Sequence, residues 1–169
     1  MAKKKLQSVV ELEQNRVSII RTIAVREKSY WNEGKCLCYA EDAAEFAKPL
    51  FANADKEYLV VCCLDAKLQP ISMEVVAIGM VNQCLVGMRE AFKNAILSNA
   101  VSIIVFHNHP SGDSKPSSSD FEISKKLRQA GKLLDIEVLD HIVLGDGEFQ
   151  SIAEILDWKS WKSTNSKIA

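Results

Sequence analysis

Two short segments of the chain are apolar at almost every position, Tyr58–Leu64 and Val101–Phe106. A strand with one face in water alternates apolar and polar residues, whereas a strand covered on both faces is apolar throughout. We therefore predict that Tyr58–Leu64 is a central strand covered by helices on each face, and that Val101–Phe106 is another buried strand. Such a chain is expected to fold as a three-layer α-β-α sandwich.

Helical and strand-like patterns alternate around these two segments. Apolar residues at helical spacing predict three helices, over 41–51, 89–99 and 123–134. Segments rich in β-branched residues predict further strands, over 17–25, 71–78, 83–86, 136–144 and 149–152. Because helices and strands interleave, we expect an α/β chain of mixed α+β type, with a mixed β-sheet between layers of helices.

The length of the chain indicates one domain. With 169 residues, of which 47% are hydrophobic, the chain can bury most of its apolar surface in one core. We predict a flexible arm over 1–16, a single domain over 17–157 and a peripheral tail over 158–169. The net charge of −1 is not that of an obligate nucleic-acid binder, so any DNA contact is expected to be local.

Cysteine usage and hydropathy indicate a reduced, cytoplasmic protein with no membrane segment. The cysteines are odd in number, no apolar leader opens the chain, and no apolar run approaches the roughly 20 residues of a membrane-spanning helix. The pairs Cys36 with Cys38 and Cys62 with Cys63 lack the spacing of a zinc ribbon, and we interpret them as small buried residues. The fifth cysteine is Cys84.

A candidate metal site follows the second central strand. His107 and His109 are two residues apart at its end, and side-chain alternation places both imidazoles on the same face of the sheet. Asp120, in the first turn of the next helix, can supply a third ligand. Two imidazoles and one carboxylate suit zinc and leave a fourth position for water, which indicates catalysis because structural zinc is usually closed by cysteines.

Ser117 precedes Asp120 by three residues and allows two interpretations. Ser-x-x-Asp ahead of an apolar stripe is a signature of a helix N-cap. Alternatively, the Ser117 hydroxyl donates a hydrogen bond to the zinc-bound water or to an oxyanion that forms beside it. The capping interpretation is the more common one for this pattern taken alone.

The spacing of these residues resembles a known family. His107-x-His109, seven residues and then Ser117-x-x-Asp120 form the signature of JAMM (JAB1/MPN) metalloenzymes. Residues 107–113 and 132–147 resemble the bacterial RadC branch in particular, and the likeness extends over about residues 40 to 155. The resemblance implies a zinc metallopeptidase-like site on a three-layer, cytidine-deaminase-like JAB1/MPN fold. It also implies a peptide or isopeptide amide as the substrate class.

The resemblance further implies a glutamate where a helix gives way to the first central strand. Glu57 matches this place best, and Glu74 in the following strand is its competitor. An ionised Glu57 beside the zinc-bound water would take its proton and later transfer it to the leaving amine.

The chain also departs from the RadC pattern. RadC proteins commonly carry a helix-hairpin-helix region before this domain, and we expect 169 residues to leave no room for it, which weakens an inferred role in DNA repair. The usual Pro-Arg-Glu is replaced by Met88-Arg89-Glu90, a change expected to affect only the start of a helix.

Two features keep alternatives open. A DNA-associated accessory protein with a structural or idle metal site could bind through a basic helix face, although a solvated face is the commoner interpretation. That face comprises Lys125, Lys126, Arg128 and Lys132. His141, which follows Asp140, either supports the metal site from behind its ligands or is a structural histidine with satisfied hydrogen bonds.

Overall fold

A computed structural model describes residues 19–23, 25, 34–79 and 86–158. The described chain forms five strands and four helices. In chain order they are α1 (Ala40–Phe51), β1 (Tyr58–Leu64), β2 (Pro70–Ile78), α2 (Met88–Leu97), β3 (Ser102–Asn108), α3 (Ser118–Leu134), β4 (Glu137–Leu144), β5 (Phe149–Ser151) and α4 (Ile152–Ile155).

The five strands form one mixed sheet in the order β2-β1-β3-β4-β5. Strands β3 and β4 are parallel, and every other neighbouring pair is antiparallel. Every residue of β3 is buried, as is every residue of β1 after Tyr58. The predictions that Tyr58–Leu64 is a central strand and that the second apolar segment is a buried strand are therefore confirmed.

Helices cover both faces of the sheet. On one face, Asn94 of α2 donates a hydrogen bond to Ser72 of β2, and Ser124 of α3 is bonded to His141 of β4. On the opposite face, the Asp140 carboxylate accepts a hydrogen bond from the backbone N–H of Ala153 in α4. Helix α1 lies on this second face, where its last turn shares a groove with residues of β1 and β2. The fold is the predicted three-layer JAB/MPN-type sandwich.

Several predicted elements differ from the structure. Residues 19–23 and 25 lie in no strand and are exposed, so the strand predicted over 17–25 is wrong for that described part. Of the strand predicted over 83–86, Val86 is not in a strand, and the other three residues lie outside the described chain. Helix α4 was not predicted, because four residues are too few to show a helical period.

The cysteines divide into two groups. Cys62 and Cys63 are buried, as predicted. Cys36 and Cys38 are half-buried and joined by a disulfide, so the prediction of two reduced, buried residues is wrong for this pair. Cys84 lies outside the described residues.

The predicted arm and tail lie almost entirely outside the described residues. The arm predicted over 1–16 falls outside the described residues. Trp158, placed at the start of the predicted tail, is 7% exposed and joins the core, whereas 159–169 are not described. No described helix combines the length and the apolar character that a membrane crossing requires.

Candidate metal site

Strand β3 brings the first two predicted ligands together. It extends to Asn108, so His107 is its penultimate residue, and the His107 side chain is 1% exposed. His109 follows directly, with a side chain that is 13% exposed. The two imidazole rings meet edge to face, with centroids 4.7 Å apart. The structure thus places both rings on the same face of the sheet, at its open end.

A backbone contact determines which ring nitrogen of neutral His109 carries the proton. Its Nδ1 lies 2.7 Å from the carbonyl oxygen of Asp113. A carbonyl oxygen can only accept, so Nδ1 carries the ring proton and Nε2 of the neutral ring has a free lone pair. Histidine ligands in metal sites are commonly oriented by such a bond from the other ring nitrogen. His109 is therefore prepared to bind a metal through Nε2.

Asp120 contacts both histidines. Its Oδ1 lies 3.2 Å from Nδ1 of His107, and its Oδ2 lies 3.6 Å from Nε2 of His109. Two ligands of one tetrahedral zinc ion are about 3.3–3.6 Å apart when each bonds the metal at about 2.0–2.2 Å. The His107 and Asp120 atoms form no hydrogen bond with each other despite their proximity. The two histidine contacts use different oxygens of the Asp120 carboxylate.

Unpaired buried atoms support the fit to a metal. Both ring nitrogens of His107 and Oδ1 of Asp120 are buried without a hydrogen-bond partner in the described chain. An unsatisfied buried polar atom costs about 1–3 kcal/mol, so such atoms mark places where a ligand completes the site. Imidazole nitrogen and carboxylate oxygen form a donor set that zinc accepts.

Ser117 and Asp120 form the N-terminal cap of α3. The Ser117 hydroxyl donates to Oδ2 of Asp120 at 2.7 Å and accepts from the Asp120 N–H at 3.3 Å. The Ser117 N–H also donates to Oδ2, at 2.7 Å. Burial would raise the pKa of Asp120, but His107, His109 and Ser117 outweigh it and hold that pKa well below its usual range. Asp120 is therefore ionised, with Oδ1 turned to His107.

The cap predicts a measurable loss of stability. Replacing Ser117 by alanine removes the hydroxyl that bonds Asp120, and we expect the free energy of unfolding to fall by about 1 kcal/mol. Urea unfolding of zinc-free protein measures the change. Ser118→Ala alters the next residue, which is exposed, and is expected to remain within about 0.5 kcal/mol of the wild type. Equal stability of the two variants would contradict the capping role.

The structure brings Glu57, and not Glu74, to the histidines. Oε2 of Glu57 lies 4.0 Å from Nε2 of His107. One ligand atom from each of Glu57, His107 and His109 lies within 4.8 Å of the other two. Glu74 forms an ion pair with Lys93 of α2, at 2.9 Å, and does not belong to this group.

Two carboxylates are thus available to the histidines. Glu57 completes the group that lies within 4.8 Å, whereas Asp120 makes the shorter contact with each ring. Asp120 is 1% exposed and its Oδ1 has no hydrogen-bond partner among the described residues, so it is a candidate third ligand beside Glu57. Glu57 is 28% exposed and lies farther from His107, as suits a base beside the metal.

A chain of buried hydrogen bonds lies behind Asp120. Ser124 donates its hydroxyl to the Asp120 carbonyl, so it can only accept from Nδ1 of His141, at 2.6 Å. The ring of His141 lies 6.0 Å from that of His107, centroid to centroid. Of the two interpretations of His141, the structure favours support, because the residue braces the helical turn that carries Asp120.

The buried His141 predicts a pH dependence of stability. Burial, and next the neighbouring His107, lowers the pKa of His141 from 6.5 to about 3. As pH falls between these two values, His141 becomes protonated in the unfolded chain while it stays neutral in the folded chain. The contribution of neutral His141 to the free energy of unfolding is complete above its unfolded-state pKa of 6.5 and is lost as the pH falls toward about 3. The loss amounts to up to about 1.4 kcal/mol per pH unit. Urea unfolding of zinc-free protein at a series of pH values measures the slope.

His141→Asn is the matched variant for this slope. Asparagine retains an N–H for Ser124 but does not titrate, so the free energy of unfolding should fall less steeply with decreasing pH than in the wild type. Identical slopes in the two proteins would show that His141 does not resist protonation.

Sequence reasoning missed Asn108 and Ser124 as parts of the site. Asn108 bonds the backbone of residues 50 and 52 positions earlier, and Ser124 bonds a histidine 17 positions later. No local pattern marks bonds of this length. The one available signal was a polar residue between two predicted ligands at the end of an apolar strand.

A three-layer fold in which a central strand ends in two clustered imidazoles beside a helix-capping carboxylate defines a JAB/MPN-type domain. Comparison with known proteins agrees with this class. The family profile described as RadC-like JAB domain matches residues 37–158. The chain belongs to the RadC-like JAB domain family.

Relatives of the chain are UPF0758 proteins. It is 36% identical over 151 residues to one from Methanosarcina barkeri, in an alignment that covers 89% of this chain and 66% of the relative. It is 45% identical over 114 residues to one from Shouchella clausii, covering 68% of this chain and 50% of the relative. The chain thus spans between about half and two thirds of the length of these relatives.

Proposed function

We propose that the domain is a zinc-dependent hydrolase of the JAMM metallopeptidase type, which cleaves a peptide or isopeptide amide. The observation that carries this proposal is that the His107 and His109 rings lie against the carboxylates of Asp120 and Glu57, and that both ring nitrogens of His107 and Oδ1 of Asp120 are buried without a hydrogen-bond partner among the described residues. Ligands that leave a coordination position for water indicate catalytic rather than structural zinc.

His107, His109 and Asp120 would hold the ion. When bound, zinc lowers the pKa of a coordinated water from 15.7 toward about 7 and polarises the scissile carbonyl. The hydrogen bond that His109 donates to the Asp113 carbonyl and the cap at Asp120 keep these side chains oriented before the metal arrives. The site is therefore preorganised, so little reorganisation opposes binding.

Glu57 would move the proton. Its carboxylate accepts a proton from the attacking water as the oxygen–carbon bond forms, and returns it to the amine nitrogen as the carbon–nitrogen bond breaks. The partial exposure of Glu57 leaves its carboxylate accessible to water and substrate. Ser117 would steady the oxyanion only by redirecting its hydroxyl from Oδ2 of Asp120, which it contacts at 2.7 Å.

An amide-cleavage assay tests the proposal. Zinc-loaded wild type is incubated with a mixed peptide library and lysine-linked isopeptides, and mass spectrometry records newly freed amines. We expect cleavage that is lost on chelation, restored by zinc and absent in His109→Ala. Fully zinc-loaded protein that cleaves no amide, or equal cleavage by the variant, would refute the hydrolase assignment.

A second candidate function, DNA binding, is favoured by one other feature. A cavity of about 340 Å³ beside α3 is lined by Lys125, Arg128, Lys132 and Trp158. The Arg128 guanidinium lies 4.7 Å from the centre of the Trp158 ring, and none of the three cations forms an ion pair with a described carboxylate. Phosphates of a DNA backbone would complement this charge.

Salt dependence tests the DNA candidate. Three phosphate contacts predict that the logarithm of affinity falls with the logarithm of salt concentration at a slope of about −2.7. Fluorescence anisotropy with a labelled duplex measures the slope, and Lys132→Gln should reduce it by about 0.9. Absence of binding at low salt would eliminate this candidate.

A further inference from the structure

Asn108 makes an unusual contact at the end of β3. Its side chain is 5% exposed and extends to the backbone of the neighbouring chain segment. Oδ1 accepts a hydrogen bond from the Tyr58 N–H at 2.7 Å, and Nδ2 donates to the Lys56 carbonyl at 2.9 Å. The regular pairing of β1 with β3 ends at Leu59 and His107. Beyond that pair, the Asn108 amide takes the place of a backbone peptide group.

The two bonds fall on either side of one residue, Glu57. Lys56 precedes it and Tyr58 follows it, so the Asn108 amide clamps the backbone on both flanks of the carboxylate. The Glu57 carbonyl accepts a third bond, from the Gly79 N–H at 2.9 Å. The backbone that carries Glu57 is thus held at three consecutive residues.

Only an amide of this length can make both bonds. Lys56 offers an acceptor and Tyr58 offers a donor, so the clamp must donate at one atom and accept at the other. Aspartate has the same shape but only accepts when ionised, and it would place a carboxylate oxygen against the Lys56 carbonyl. The need to donate to Lys56 and accept from Tyr58 therefore explains why residue 108 is an asparagine.

We propose that Asn108 is a positioning residue, which sets the distance between Glu57 and the metal ligands from within the strand that carries His107. The inference rests on the proposed function, in which Glu57 transfers the proton. Because Asn108 and His107 are adjacent in β3, the same strand holds the backbone of the general base Glu57 and carries the metal ligand His107. A catalytic group displaced by about 1 Å can lose roughly 100-fold in rate, so the distance that Asn108 sets has a large effect on the rate.

Crystal structures of the wild type and Asn108→Asp test the placement directly. We expect Glu57 to move away from His107 by about 1 Å or more, or to lose a defined rotamer, while the two histidines and Asp120 keep their positions. Asn108→Ala would leave two buried backbone groups unpaired and risks unfolding, so the isosteric variant is the primary one. Glu57 unmoved from its 4.0 Å distance would overturn the proposal.

Cobalt provides a second readout in solution. Co²⁺ replaces zinc as the probe, and its visible absorption spectrum responds to the water at the metal and to the group that bonds that water. We expect Asn108→Asp to change this spectrum in the same direction as Glu57→Gln, and the double variant to match Glu57→Gln alone. A wild-type spectrum for Asn108→Asp beside an altered one for Glu57→Gln would overturn the proposal.

Asn94→Ala is the matched control. Asn94 is a half-buried amide, which ties α2 to Ser72 of the sheet at 3.0 Å. Its loss should lower stability and leave the cobalt spectrum and Glu57 unchanged. If cobalt does not bind the wild type, the proposed function fails, and the position of Glu57 in the crystals still decides the role of Asn108.

Discussion

His109→Ala is expected to reduce the zinc content of purified protein from one ion per chain to nearly none. The substitution removes Nε2, which faces the Asp120 carboxylate at 3.6 Å and whose lone pair is freed by the bond to Asp113. Loss of an outer-shell partner typically weakens metal affinity by about 10–100-fold, and loss of a ligand should exceed this. Elemental analysis by mass spectrometry, with protein concentration from amino-acid analysis, measures the ratio.

Substitutions at Asp120 extend this prediction and supply its control. Asp120→Ala should also abolish zinc binding, but it removes the helix cap as well. Asp120→Asn keeps an oxygen that can accept the capping bonds and removes the charge, so a loss of zinc in this variant reflects ligation. Glu122→Gln changes an exposed carboxylate two residues away and should retain the metal. A full complement of zinc in either Asp120 variant would remove Asp120 from the ligand set.

Glu57→Gln is expected to retain zinc and to lose turnover by about 10²–10⁴-fold, the usual contribution of a general acid–base group. Glutamine has nearly the same shape as glutamate but cannot accept the proton of the attacking water. Oε2 of Glu57 lies 4.0 Å from Nε2 of His107, which is compatible with a general base that does not bind the metal directly. The measurement is kcat for whichever amide the cleavage assay identifies, together with the zinc content of the variant.

Glu74→Gln is the control for the general base. Glu74 is engaged with Lys93, so its replacement should leave kcat near the wild-type value. A fully active Glu57→Gln variant would exclude Glu57 from the mechanism. Loss of zinc together with activity would instead make Glu57 a ligand, which the grouping of its carboxylate with both histidines would allow.

The features that could be predicted from sequence are those with a local physical signature. The runs that became β1 and β3 are apolar on both faces, so a central position was the arrangement that left no apolar face in water. Alternation along a strand placed His107 and His109 on one face, and the Ser-x-x-Asp spacing predicted the cap at Ser117.

The features that were missed depend on contacts across the fold. The Asn108 clamp and the bond that His141 donates to Ser124 join residues far apart in sequence, where no periodicity links them. The start of α4 depends on Asp140 and Ser151, whose side chains accept from backbone N–H groups of the helix. The β-branched residues 19–23 illustrate the opposite error, since strand propensity without a paired neighbour does not make a strand.

A crystal structure of the zinc-loaded protein, with anomalous diffraction data collected on both sides of the zinc absorption edge, tests the ligand set directly. We expect one zinc peak at about 2.0–2.2 Å from a ring nitrogen of His107, from Nε2 of His109 and from a carboxylate oxygen of Asp120, with a water on the side of Glu57. A peak bound by other residues, or no peak at these three side chains in zinc-saturated crystals, would rule out this ligand set.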